Sequence, residues 1–128
     1  MTCTELRDRI CHDLKSLGID LTSFELVMKP YSKSYYGRYV PKKKRVIVYV
    51  YEDSDRTLFY PYENLFSTVL HEVTHHLQWS DPEFERIRGV MHNAEFYQIY
   101  NRLMRKHKIY AIVKRGDTLD SFSKKIRD

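Results

Sequence analysis

Cysteine is nearly missing from this chain of 128 residues: Cys3 and Cys11 are its only two. Their spacing makes neither a CxxC pair nor a disulfide framework, so both are read as reduced, partly buried thiols in a helix. Long apolar runs are missing as well. Met1 to Ile10 carries Glu5, Arg7, Asp8 and Arg9, which leaves no signal-peptide core, and nothing later approaches the roughly 20 apolar residues of a membrane span. A cytoplasmic or intracellular location without membrane contact is expected. No internal repeat and no flexible linker interrupts the sequence. One domain is expected over residues 1–128, with its core over about 4–108 and a tail over 109–128.

Acidic residues are missing from two stretches, and these account for much of the net charge of +5. One holds Lys29, Lys33, Arg38, Lys42, Lys43, Lys44 and Arg45; the other holds Arg102, Arg105, Lys106, Lys108, Lys114 and Arg115. Clustered cations gain affinity for nucleic acid by releasing counterions from phosphates. Tyr31, Tyr35, Tyr36 and Tyr39 interleave with the first cluster, and aromatic platforms beside cations are how single strands are often held. The commoner meaning of such a pattern is a solvated face or a strand edge guarded by lysine. Segment 29–45 is therefore kept as a candidate nucleic-acid contact and not more than that.

Hydrophobic residues make up 42% of the chain, which is enough for one core. Leu6, Ile10, Leu14 and Leu17 recur at helical spacing, so residues Thr4 to Leu17 are predicted as a helix that ends at Gly18. β-Formers at Phe24 to Met28, Ser34 to Val40 and Arg45 to Tyr51 predict three strands, the last two joined by a Pro-Lys-Lys-Lys turn. Pro61 suits the first turn of a second helix that runs to about Gln78. Asn93 can cap a third, from Ala94 to about Lys108, and Gly116-Asp117 marks a turn in the tail. The fold class is α+β.

The chemistry is concentrated in His71-Glu72-Val73-Thr74-His75 on the second helix. Residues i and i+4 of a helix stand one above the other, so His71 and His75 can hold a single ion from adjacent turns. Glu72, beside an ion with an open position, can take a proton from the water that the ion activates, which is hydrolytic chemistry. On the helical wheel Leu65, Phe66, Val69, Leu70, Val73 and Leu77 form one apolar arc, and the two histidines fall nearly opposite it. His76 lies nearer the core arc and is read as structural or partly exposed. A catalytic zinc usually takes three protein ligands and water. His92 projects along the packing face formed by Phe96, Ile99, Tyr100, Leu103 and Met104, and is favoured as the third ligand. Glu95, to one side of that face, is the alternative ligand or an outer-shell acid. The cleft is expected between the second helix and the loop before residue 92.

This order of helix, three strands, HEVTH helix and then His92-Asn93-Ala94-Glu95-Phe96-Tyr97 resembles the SprT-like and Wss1-like metallopeptidases of the zincin fold, over about residues 5–108. The resemblance implies a small twisted sheet packed on the metal-bearing helix, zinc held by His71, His75 and His92, Glu72 as general base, and Phe96 as a buried anchor. It implies peptide-bond hydrolysis with protein or peptide substrates. Asn93 stands where that family commonly has glycine, and no cysteine-rich zinc ribbon follows, so the closest description is a minimal form. Tyr, Arg or His is left open as the donor that stabilises the transition state. The alternative function is a nucleic-acid-binding module with a structural or degenerate metal site; an intact Glu72 favours catalysis, because a structural zinc needs no acid there.

Overall fold

A computed structural model of the protein describes residues 2–83 and 92–114, the side chains of 110–114 excepted. Among the described residues, α1 spans Cys3–Ser16, β1 Glu25–Lys29, β2 Gly37–Val40, β3 Arg45–Tyr49, α2 Tyr62–Ser80 and α3 Ala94–Lys114. Thr2 starts α1 with a reciprocal cap, its hydroxyl accepting from the Glu5 backbone N–H and its own N–H donating to the Glu5 carboxylate. Gly18, at φ +81°, takes the left-handed turn that ends the same helix.

The sheet runs in the order β1-β3-β2, with β1 parallel and β2 antiparallel to the central strand. Parallel pairing of β1 is not readable from strand propensity, since it depends on the chain leaving β1 and returning across the sheet. β2 and β3 flank a 3₁₀ turn, Pro41–Lys43, and Lys44 closes it in the left-handed region at φ 48°. The strand expected from Ser34 begins only at Gly37. Before it, the Ser32 hydroxyl accepts from the N–H groups of Ser34 and Tyr35 and holds a local turn in place of ladder pairing.

One core cluster joins Leu6, Ile10 and Leu14 of α1, Val46 and Val48 of β3, and Leu65, Phe66, Val69, Leu70 and Val73 of α2. α3 adds Leu103 to that cluster. Helix α2 therefore lies between the sheet and α3, and both of its sides are covered. This corrects the wheel analysis at His75 and bears out its structural alternative at His76. His75, expected to point away from the core, is only 7% exposed because α3 roofs that side. His76, allowed to be partly exposed, is 2% exposed: its Nδ1 meets the Tyr39 hydroxyl at 2.8 Å and its Nε2 the Ser23 hydroxyl at 3.0 Å. A histidine bonded at both ring nitrogens inside a core is structural.

The packing face expected of the last helix is present, with Phe96 and Leu103 buried and Ile99, Tyr100 and Met104 partly so. The helix continues to Lys114, six residues past its expected end. His107, missed in the sequence, is buried against Phe66 at a ring distance of 4.3 Å, with Nε2 3.3 Å from Glu63 Oε2. Cys3 is exposed rather than partly buried and Cys11 half-buried, both as free thiols. The turn expected at Gly116-Asp117, and with it most of the tail, lies outside the described residues, as do residues 84–91, before residue 92, where one wall of the cleft was expected. No helix among the described residues is long and apolar enough to cross a membrane.

Phe66 is the centre of this packing, fully buried and stacked on Tyr62 as well as touching His107. Phe66→Ala is expected to cost about 3–5 kcal/mol, the loss for a large core ring, measured as a lowered midpoint in urea unfolding.

Candidate metal centre

His71 and His75 leave α2 on adjacent turns, their ring centroids 5.1 Å apart. His92 arrives from the residue that precedes the cap of α3. Its Nε2 stands 3.0 Å from Nε2 of His71 and 3.1 Å from Nε2 of His75. Ligand atoms from all three lie within 4.8 Å of one another. Around a tetrahedral zinc with bonds near 2.0–2.1 Å, neighbouring nitrogens are about 3.3 Å apart, and both separations from His92 fall within a few tenths of an ångström of that spacing. Three convergent imidazole nitrogens are a donor set that could hold a transition-metal ion such as zinc.

Phe96 holds the trio together. It is fully buried, with ring distances of 4.9 Å to His71, 4.7 Å to His75 and 4.9 Å to His92. Burial, followed by the nearness of His71 and His92, pushes the His75 pKa down to about 4, and burial followed by His92 lowers that of His71. Both rings are thus neutral near pH 7, with lone pairs free for a cation. Burial pushes the Glu72 carboxyl the other way, up to about 7. A carboxyl that exchanges its proton near neutrality is suited to both halves of a hydrolysis.

Glu95 is not part of the histidine trio. It is exposed, and its Oε1 accepts from Gln78 Nε2 at 3.3 Å. The same Gln78 amide donates to Asn93 Oδ1 at 3.3 Å, and Asn93 Oδ1 accepts the Phe96 N–H at 2.9 Å. Asn93 caps α3, and Gln78 ties that cap to α2. Gln78 is 2% exposed and was not singled out in the sequence. Its signal was weak but present: a glutamine seven residues after His71 shares that histidine's side of the helix.

A cleft formed by the described residues lies beside His71 and Glu72. It is a cavity of about 330 Å³ bounded by Ser34–Gly37 on one side, Ser67, Thr68, His71 and Glu72 of α2 below, and Tyr100 of α3 on the other side. Tyr35 and Tyr36 stand exposed at its rim, while Tyr39 is drawn inward to His76 and leaves the row of surface tyrosines. Burial raises the Tyr100 pKa, so its hydroxyl keeps its proton.

No protein-family model matches the chain, and no curated protein is similar to it in sequence. Its fold, however, is that of a solved protein. The crystal structure of Wss1 from Saccharomyces cerevisiae is similar with a TM-score of 0.61 and 25% identity, covering 87% of this chain and 79% of that one. The crystal structure of a mutant of the same yeast protein gives a TM-score of 0.63 at 24% identity, covering 88% and 82%.

Because Asn93 serves both the Phe96 N–H and the Gln78 amide, Asn93→Ala is expected to destabilise the protein by about 1–2 kcal/mol, the upper part of the range for a lost helix cap. Urea unfolding of the metal-free protein measures it.

Proposed function

We propose that this protein is a zinc-dependent metallopeptidase, with His71, His75 and His92 as the zinc ligands and Glu72 as general base and acid. The observation that carries the reading is the convergence of three imidazole nitrogens within 4.8 Å of one another, next to a buried carboxyl that lines the same cleft. A Wss1 fold and the resemblance of the HEVTH and His92-x-x-x-Phe96 motifs to SprT-like and Wss1-like metallopeptidases point the same way. The substrate is a protein or peptide segment able to enter an open groove, which favours unstructured chain.

Zinc at this site supplies a Lewis acid that polarises the scissile carbonyl and makes water nucleophilic at neutral pH. The protein's own residues do the rest. Glu72 takes the proton of the attacking water, so that hydroxide adds to the carbonyl carbon, and then returns that proton to the departing amine as the C–N bond breaks. Phe96 and the helix cap keep His92 in place, so the ligand set is preorganised. Tyr35, Tyr36 and Tyr100 bring phenolic O–H groups to the cleft where charge develops on the carbonyl oxygen.

A partnership with nucleic acid through segment 29–45 has one observation in its favour. Tyr31, Tyr35 and Tyr36 are exposed beside the cleft, and the Arg38 guanidinium lies 5.2 Å from the Tyr35 ring centre. This surface offers stacking and charge together.

Two tests follow from these readings. Glu72→Gln is expected to bind zinc as the wild type does and to cleave an unstructured protein at least about 100-fold more slowly, whereas equal cleavage by both would sink the assignment. In the same assay His92→Ala loses zinc and Glu95→Ala retains it. For the second reading, short single-stranded DNA is expected to bind at low salt and to change the rate of proteolysis; neither effect occurring would remove it.

A further inference from the structure

Glu72 is 7% exposed, yet no hydrogen bond from any described residue holds its carboxylate. The nearest ionisable partner among the described residues is the neutral His71 imidazole, its Nε2 3.9 Å from Oε1. A buried acid without a donor is positioned by the walls around it. One of those walls is Gly37, the first residue of β2, which forms the side of the cleft facing α2.

A methyl group added at Gly37 would lie 2.7 Å from Thr68 Cγ2, 2.8 Å from the Ile47 carbonyl oxygen and 3.3 Å from Glu72 Cγ. The first two separations are well inside van der Waals contact, at about 3.5–4.0 Å for carbon pairs. Neither neighbour yields easily. Thr68 is β-branched, and its hydroxyl donates to the Asn64 carbonyl at 3.0 Å, which keeps Cγ2 where it is. Ile47 O belongs to the backbone of the central strand. Gly37 itself pairs with Val48 in the ladder, so β2 cannot retreat without losing register contacts. The backbone at Gly37 is not left-handed, so alanine there tests space alone.

We propose that Gly37 is the positioning residue for Glu72: by having no side chain it lets the edge strand close on α2, and the closed strand sets how deep the carboxylate stands in the cleft. This rests on the metallopeptidase reading above. Because packing is what the described residues offer to hold Glu72, a displaced wall displaces the base, and misplacing a reacting group by about 1 Å can cost on the order of 100-fold in rate.

The test uses the full chain. Gly37→Ala is expected to bind one zinc as the wild type does when the metal-free protein is titrated, to keep KM for a peptide substrate within about twofold, and to lose about 10- to 100-fold in kcat. Adding Thr68→Ser, which removes the nearest methyl but keeps the hydroxyl, is expected to recover at least about threefold of that loss, judged against Thr68→Ser alone. Wild-type kcat in Gly37→Ala, a rise in KM that accounts for the loss, zinc lost in proportion to activity, or no recovery in the double variant would each overturn the proposal. Should Gly37→Ala not fold by circular dichroism, the double variant is compared directly with Thr68→Ser. A folded protein with reduced kcat supports the proposal, and unchanged kcat or a second failure to fold refutes it. Glu72→Gln is run in parallel: if it is as active as the wild type, the metallopeptidase reading itself fails, whereas an inactive Glu72→Gln beside a fully active Gly37→Ala removes only the role of Gly37.

Discussion

Helix α2 is covered on both sides, and everything that defines the site follows from that constraint. On one side Leu65, Phe66, Val69, Leu70 and Val73 are sealed against β3 and α1. On the other, Phe96 of α3 is driven into the gap between His71 and His75. Apolar burial on the first side makes the helix rigid, and rigidity is what turns an i, i+4 histidine pair into a fixed pair of donors. Burial on the second side removes water from the imidazoles and keeps them neutral. One helix with one sheltered face would provide the spacing without the electrostatics.

The same shelter shifts the titration of His75 and Glu72 in opposite directions. Desolvation disfavours whichever form is charged, so the imidazole gives up its proton more readily and the carboxyl holds its proton more tightly. Lone pairs for a cation and a proton-exchanging acid thus arise side by side from one cause. Glu72 differs from the histidines in what holds it. The histidines are gripped by Phe96 and, for His92, by a cap tied to Gln78; Glu72 has only packing around it, and Gly37 is part of that packing.

Several features were legible because they depend on residues close in sequence. Among the described residues three helices and three strands stand in the expected order, and the apolar arc of α2 is the buried one, with Leu77 only partly so. Asn93 caps α3 as its chemistry suggests, and His92 rather than Glu95 stands with the histidine pair. Other features were not legible. The burial of His75, the double bonding of His76 by Tyr39 and Ser23, and the parallel pairing of β1 all involve partners brought together by the chain's path across the sheet. The turn expected at Pro41–Lys44 is present, but the late start of β2 was missed because the Ser32 hydroxyl competes locally with ladder hydrogen bonds.

By itself the sequence determined which side chains could act and in what local spacing: two histidines one turn apart with an acid between them, and a third histidine just ahead of a helix cap. Helical periodicity and capping are short-range, so they can be read from a few adjacent letters. Only the tertiary structure decided where these groups stand relative to one another and to water. It set the roof of Phe96 over the histidines, the cleft between Ser34–Gly37 and Tyr100, and the near contact of Gly37 with Thr68 and Glu72. Those are relations between segments distant in the chain, and the physical reason they escape the sequence is that desolvation and steric closure belong to the packed assembly of elements and not to any one of them.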